Sequence, residues 1–243
     1  MIKFFKKIIL FVLLIIVIIL GIFVYQGYKL YEEAITETSI EEKIEKIKLE
    51  NENYIKYEDL PEAYIDAIVA VEDRRFFEHN GVDIISIARA VIKDIQTMSL
   101  VEGGSTITQQ LSKNTYFTQR KELTRKIAEV FTAFEYEKVC SKEEILELYV
   151  NTIYFGDGYY CVYDAAQGYF NKEPKDMNLY ESTLLAGIPN APSVYAPTKN
   201  PELAKQRQAQ VLNKMVKYNY ISQEEADKLL TIEFEEVEKE KKK

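Results

Sequence analysis

The chain has 243 residues, enough for one large domain or two small ones, and at 47% hydrophobic it can bury a sizeable core. A net charge of −8 argues against nucleic acid as a partner. One histidine, His79, and two cysteines, Cys140 and Cys161, cannot form a four-ligand His/Cys zinc site without carboxylate help, and both cysteines are expected to pack as small apolar residues.

Lys3, Lys6 and Lys7 precede an unbroken apolar run from Ile8 to Tyr25. As a helix its 18 residues span roughly 27 Å, close to the hydrocarbon thickness of a bilayer. The sequence after it lacks a small-x-small cleavage site, so the run reads as a retained anchor rather than a signal peptide. Lysines before the run and acidic sequence after it place residues 1–7 in the cytoplasm and the rest outside. Residues 26–54 are charged and helix-prone and read as a stalk or linker. Ser39 to Glu42 forms a capping box ahead of a thin stripe, Ile40, Ile44 and Ile47.

The globular part is expected over 55–232, with a charged tail over 233–243. Ile65, Ile68 and Val69 mark the buried face of a helix, and Glu72 falls in the middle of that face. A carboxylate there is either tied to a neighbouring arginine at a helix end or poised for proton transfer. Ile84, Ile87, Ala88, Val91, Ile92 and Ile95 recur at helical spacing. A donor-rich stretch follows, Gly103 to Asn114. Its two glycines allow close approach to a ligand, and Ser105 or Thr106 suits a helix N-cap. Tyr116 and Phe117 are aromatic residues expected to be exposed near the membrane. The next helix carries Leu123, Ile127, Val130, Phe131 and Phe134 on one face, which puts Glu129 on the other, one turn after Arg125. From periodicity alone, Arg125 and Glu129 are an ordinary surface pair.

Ser141 to Glu144 caps a further helix, Asn178 to Glu181 starts a small-residue helix that Pro189 and Pro192 stop, and Asn200-Pro201 opens another. Ser222 to Glu225 caps the last. No stretch alternates with a period of two, so the body should be all-α.

Several of these stretches resemble the signatures of the peptidoglycan glycosyltransferases, glycosyltransferase family 51. Glu72 to Asp83, Gly104 to Asn114, Arg125 to Glu129 and Lys142 to Asn151 match four of them in order. Ala165 to Phe170, Leu185 to Gly187 and Pro189 to Pro197 continue the match, which covers about residues 55–230. Val150 stands where leucine is usual, and Asp157 to Tyr163 is bulkier than the family's glycine- and alanine-rich loop.

The resemblance implies an all-α, lysozyme-like head lobe with a small jaw lobe near the membrane, preceded here by one transmembrane helix. It implies polymerisation of lipid II into β-1,4-linked glycan strands, with inversion and release of undecaprenyl diphosphate. Glu72 matches the catalytic base and Glu129 the second essential carboxylate. Lys113, Arg120, Arg125 and Lys126 are expected to hold the diphosphate, with Ser105, Thr106, Gln109, Gln110 and Asn114 as neutral donors. His79 is expected to support the turn rather than act as a base. No cofactor is required on this reading, and a divalent cation, Mg2+ or Mn2+, at Glu129 is the one left open. Expected partners are lipid II, the growing strand and the membrane, with other cell-wall synthesis proteins as further candidates and no nucleic acid. The chain lacks the Ser-x-x-Lys and Lys-Thr-Gly pair of a transpeptidase and reads as monofunctional. Two other readings are a membrane-anchored lytic glycosidase using a buried glutamate as general acid and a catalytically inactive cell-envelope scaffold.

Overall fold

The computed structural model describes residues 2–97, 104–117 and 123–234. Twelve α-helices and short 3-10 turns account for the secondary structure of these residues, and none of them is in a strand. The first helix, α1 (Ile2–Glu37), contains the apolar run and is long and apolar enough to cross a membrane. It continues without a break past the run and lies against α6 (Leu123–Val139). The next helix, α2 (Ile40–Glu50), starts at the Ser39 capping box. Its stripe does not stand free: Ile40 is buried, and Ile44 and Ile47 pack on the core.

The core is built from helices whose apolar faces converge. Tyr64, Ile68 and Val69 of α3 (Glu62–Glu72) are buried with Ile107 and Leu111 of α5 (Ile107–Tyr116). Ile145, Leu146 and Tyr149 of α7 (Lys142–Val150) close one side, and α8 (Val162–Phe170) adds Ala165, Ala166 and Tyr169. The small-residue helix α9 (Leu179–Gly187) is buried along its length, because alanine, serine and glycine let α3 and α11 (Pro201–Lys217) approach it closely. A single turn, α10 (Pro192–Tyr195), precedes α11, and α12 (Gln223–Leu229) follows it. Ser141, Asn178 and Ser222 each close a capping box.

Two amphipathic helices differ from expectation. On α4 (Ile84–Thr97) Ile84, Ile85, Ile87 and Ile92 are exposed, whereas Ala90 is buried. On α6 the buried residues are Ala128, Glu129, Thr132, Ala133 and Tyr136, not the stripe of larger side chains. That stripe serves α1 instead. Phe131 stacks against Tyr28 and Tyr31, Ile127 meets Gly27, and Leu123 and Phe134 remain exposed. Toward the body α6 turns Ala128, Thr132 and Ala133, with Glu129 and the large Tyr136 fully buried beside them. Tyr116 is also not free. Its hydroxyl donates to the carbonyls of Thr38 and Ser39 at 3.1 and 2.9 Å.

Candidate active site

Glu72 is the last residue of α3, and the sequence Asp73 to Asp83 turns the chain away from it. That turn is held from both sides. The His79 Nε2 faces the Asp73 carboxylate at 2.9 and 3.0 Å, and Asp73 accepts the backbone N–H of Ile107 at 3.1 Å. Arg75 donates twice to Asp83, at 3.1 and 2.9 Å. Burial pushes the Asp83 carboxyl up, but hydrogen bonds from Ser86 and Arg75 outweigh it and hold the pKa at about 2. Gly81 takes a positive φ of 80°, which glycine adopts without strain, and its carbonyl accepts the Thr106 hydroxyl at 2.6 Å. His79 is thus a buried support of the turn.

The donor-rich stretch becomes helix at Ile107. Thr106 is the N-cap, and Gln109 completes a capping box with it. Gln109 N–H donates to the Thr106 hydroxyl at 3.1 Å, and Thr106 N–H donates to Gln109 Oε1 at 3.0 Å. Both side chains are buried and taken up by the fold. Gln110, Lys113 and Asn114 follow at i, i+3 and i+4, on one half-buried face of α5. Gln110 Nε2 donates to Glu72 Oε2 at 2.8 Å, and its Oε1 accepts from the buried Tyr149 hydroxyl at 3.3 Å.

Glu129 has no solvent exposure, which corrects its reading as a surface residue. One oxygen pairs with Arg125, and the other accepts from Lys126 Nζ at 2.7 Å. Lys126 also donates to Ser105 Oγ at 2.6 Å. Lys113 lies within the field of both carboxylates. Burial lowers its pKa from the usual lysine range. Glu129 raises it, Lys126 and Arg125 lower it, and Glu72 raises it. Ser105, Gln110, Lys113, Arg125, Lys126, Glu72 and Glu129 therefore form one cleft, whereas Thr106 and Gln109 build its wall. Arg120 lies outside the described residues.

Sequence reasoning missed Arg207. It reaches from α11 to Glu72, Nη2 to Oε1 at 3.4 Å, while its Nε donates to the Gly187 carbonyl at 3.2 Å. A signal was present. Arg207 sits among Ala204, Val211 and Met215 on the buried stripe of α11, as Glu72 sits among Ile65, Ile68 and Val69 on α3. Opposite charges on two apolar stripes are natural partners.

A divalent cation does not fit the residues at Glu129. Both of its oxygens are engaged by cations, and three basic side chains surround one carboxylate. Among the described residues no group of three or more acidic, histidine or cysteine side chains could hold a metal.

This cleft joins the four signature stretches, and residues 40–216 match the transglycosylase family. The chain belongs to that family. It is 43% identical over 185 residues to penicillin-binding protein 1F of Bacillus subtilis (strain 168), covering 76% of this chain and 26% of that one. It is 46% identical over 180 residues to penicillin-binding protein 1A of Neisseria lactamica, covering 74% and 23%. The crystal structure of penicillin-binding protein 1A from Haemophilus influenzae aligns with 73% of this chain and 17% of that one, at 27% identity and a TM-score of 0.44. The chain spans about a quarter of the length of the curated relatives it matches.

Proposed function

We propose that this transglycosylase chain polymerises lipid II, an undecaprenyl-diphosphate-linked disaccharide-pentapeptide, into β-1,4-linked glycan strands. The observation that carries this reading is the two-ended cleft. The Glu72 carboxylate meets α5 at Gln110, two cations, Arg125 and Lys126, pair with Glu129, and Lys113 is within electrostatic reach of both carboxylates.

In this reading Glu72 takes the proton of the acceptor's 4-hydroxyl, and that oxygen attacks C1 of the donor sugar with inversion. The C1–O bond to phosphate breaks, and its electron pair leaves with undecaprenyl diphosphate. The leaving group already carries negative charge, so it calls for cations rather than a proton donor. Lys113, Arg125 and Lys126 supply them, with Ser105, Gln110 and Asn114 as neutral donors. Glu129 holds Arg125 and Lys126 in place. Arg207 and Gln110 hold the Glu72 carboxylate between them. The chain's own side chains carry these steps. The body lies outside the cytoplasm with the N-terminus inside, because Lys3, Lys6 and Lys7 precede the apolar run. Its partners are lipid II, the growing strand and the bilayer, and other cell-wall synthesis proteins remain candidates.

Incubation with purified lipid II tests this. Ladders of glycan strands are the expected product. Shortened strands from preformed peptidoglycan, with no ladders from lipid II, would instead establish a lytic glycosidase.

A further inference from the structure

α1 and α6 run side by side in the same direction. Gly27 meets Thr124 and Ile127, the Tyr28 ring lies 5.4 Å from that of Phe131, and Tyr31 donates to Glu135 at 3.0 Å. Gly27 is the one buried residue of α1 among those described. A Cβ there would fall 2.5 Å from Ile127 Cγ2 and 2.9 Å from the Thr124 carbonyl oxygen, so any side chain drives the helices apart. The end of the anchor is gripped again by Tyr116, at the end of α5, which donates to the carbonyls of Thr38 and Ser39. Both helices that carry the site's cations are therefore fastened to the anchor, α6 at Gly27 and α5 at Thr38.

These attachments fix a height. The apolar run ends at Tyr25, and Gly27 lies two residues beyond it, about 3 Å along the helix axis. Arg125 and Lys126 lie between Thr124 and Ile127, the two residues that touch Gly27. The cations thus sit within about one helical turn, roughly 5 Å, of the end of the apolar run. The polar layer of a bilayer adds roughly 5–7 Å on each side of its hydrocarbon core. We infer that the α1–α6 joint at Gly27 sets the height of the cation cluster, so that it meets a donor's diphosphate at headgroup depth while the lipid tail stays in the bilayer. Gly27, Thr124 and Ile127 are positioning residues of the donor site. This rests on the lipid-linked donor proposed above. A loose tether would leave that height to diffusion, whereas a close-packed glycine contact holds it.

The test uses the full chain in phospholipid vesicles. Seven polar, helix-forming residues inserted between Tyr25 and Gln26 raise the body by about 10 Å and turn the docking face by only about 20°. Native and inserted proteins are given lipid II embedded in the same bilayer, and separately a short-tailed, water-dispersed analogue. The insertion is expected to slow elongation at least tenfold on the embedded donor and to leave the dispersed donor within about twofold. Gly27→Leu, which wedges the joint without lengthening α1, is expected to show the same split at about threefold. Unchanged rates on both donors overturn the height assignment. So does an equal loss on both, which makes the joint a support of the fold alone. A native protein that elongates neither donor removes the functional reading underneath, a result distinct from either.

Discussion

The two carboxylates of the cleft keep different company. Glu72 ends its helix with 10% of its side chain exposed, held by an amide at 2.8 Å and a guanidinium at 3.4 Å. Glu129 is fully enclosed, with a guanidinium on one oxygen and an ammonium on the other. A group that takes a proton from an incoming hydroxyl needs an oxygen the hydroxyl can reach, and the longer contact to Arg207 leaves one on Glu72. A carboxylate with both oxygens in close ion pairs instead spaces and aims its cations. The same residue type therefore suits chemistry beside Gln110 and architecture beside Arg125 and Lys126.

Substitutions can break this contrast. Glu72→Gln removes the base but keeps an oxygen for Arg207. A loss of about 10²–10⁴ in polymerisation rate is expected, with the melting temperature preserved. An unchanged rate would refute the base assignment. Glu129→Gln should act on both rate and fold, because it strips charge from a buried partner of two cations. Lys126 is half-exposed, so the usual cost of breaking a buried pair is reduced to about 2 kcal/mol, or about 4–8 °C in melting temperature. If calorimetry finds no shift, Glu129 is not the architectural carboxylate.

Lys113→Ala should raise donor KM and lower kcat together by about tenfold overall, since the diphosphate is bound in both ground and transition states. Steady-state kinetics that move neither constant would take Lys113 out of the site. Arg207→Ala, which removes a partner of Glu72 and of the Gly187 carbonyl, is expected to lower kcat by about tenfold with KM held within twofold. A rise in KM alone would make Arg207 a substrate contact instead. The smallest effect is expected at Thr106→Ala. Losing the cap and the bond to Gly81 costs about 1–2 kcal/mol. Thr106→Ser should recover that stability in a denaturant titration, and donor KM should stay constant in both variants.

Much of this arrangement was legible because it is local. Ser39, Ser141, Asn178 and Ser222 announced their helices by a residue spacing that fixes a hydrogen bond within one turn. Glu72 was visible as a charge on an apolar stripe. What the sequence hid depends on partners far along the chain. The inward face of α6 was misread because Ile127 and Phe131 face the anchor helix, a partner about a hundred residues away in the chain. The pairing of Glu72 with Arg207 joins positions 135 residues apart, so periodicity reveals each stripe but not that the two stripes meet. Thr106 looked like a ligand donor as much as a cap, since a free hydroxyl and a bonded one share a letter.

Neither cysteine has a disulfide partner, and burial pushes the Cys140 thiol up to about 12 and the Cys161 thiol to about 11. At neutral pH only about one thiol in ten thousand or fewer is ionised at either position, so alkylating reagents find almost no nucleophile while the fold is closed. Cys161 also caps α8, accepting the Asp164 N–H, and Cys140 packs against the core where α6 ends. The buried Cys161 sulfur is thus a built-in clock. Its labelling rate counts how often the start of α8 opens, with no probe engineered into the protein.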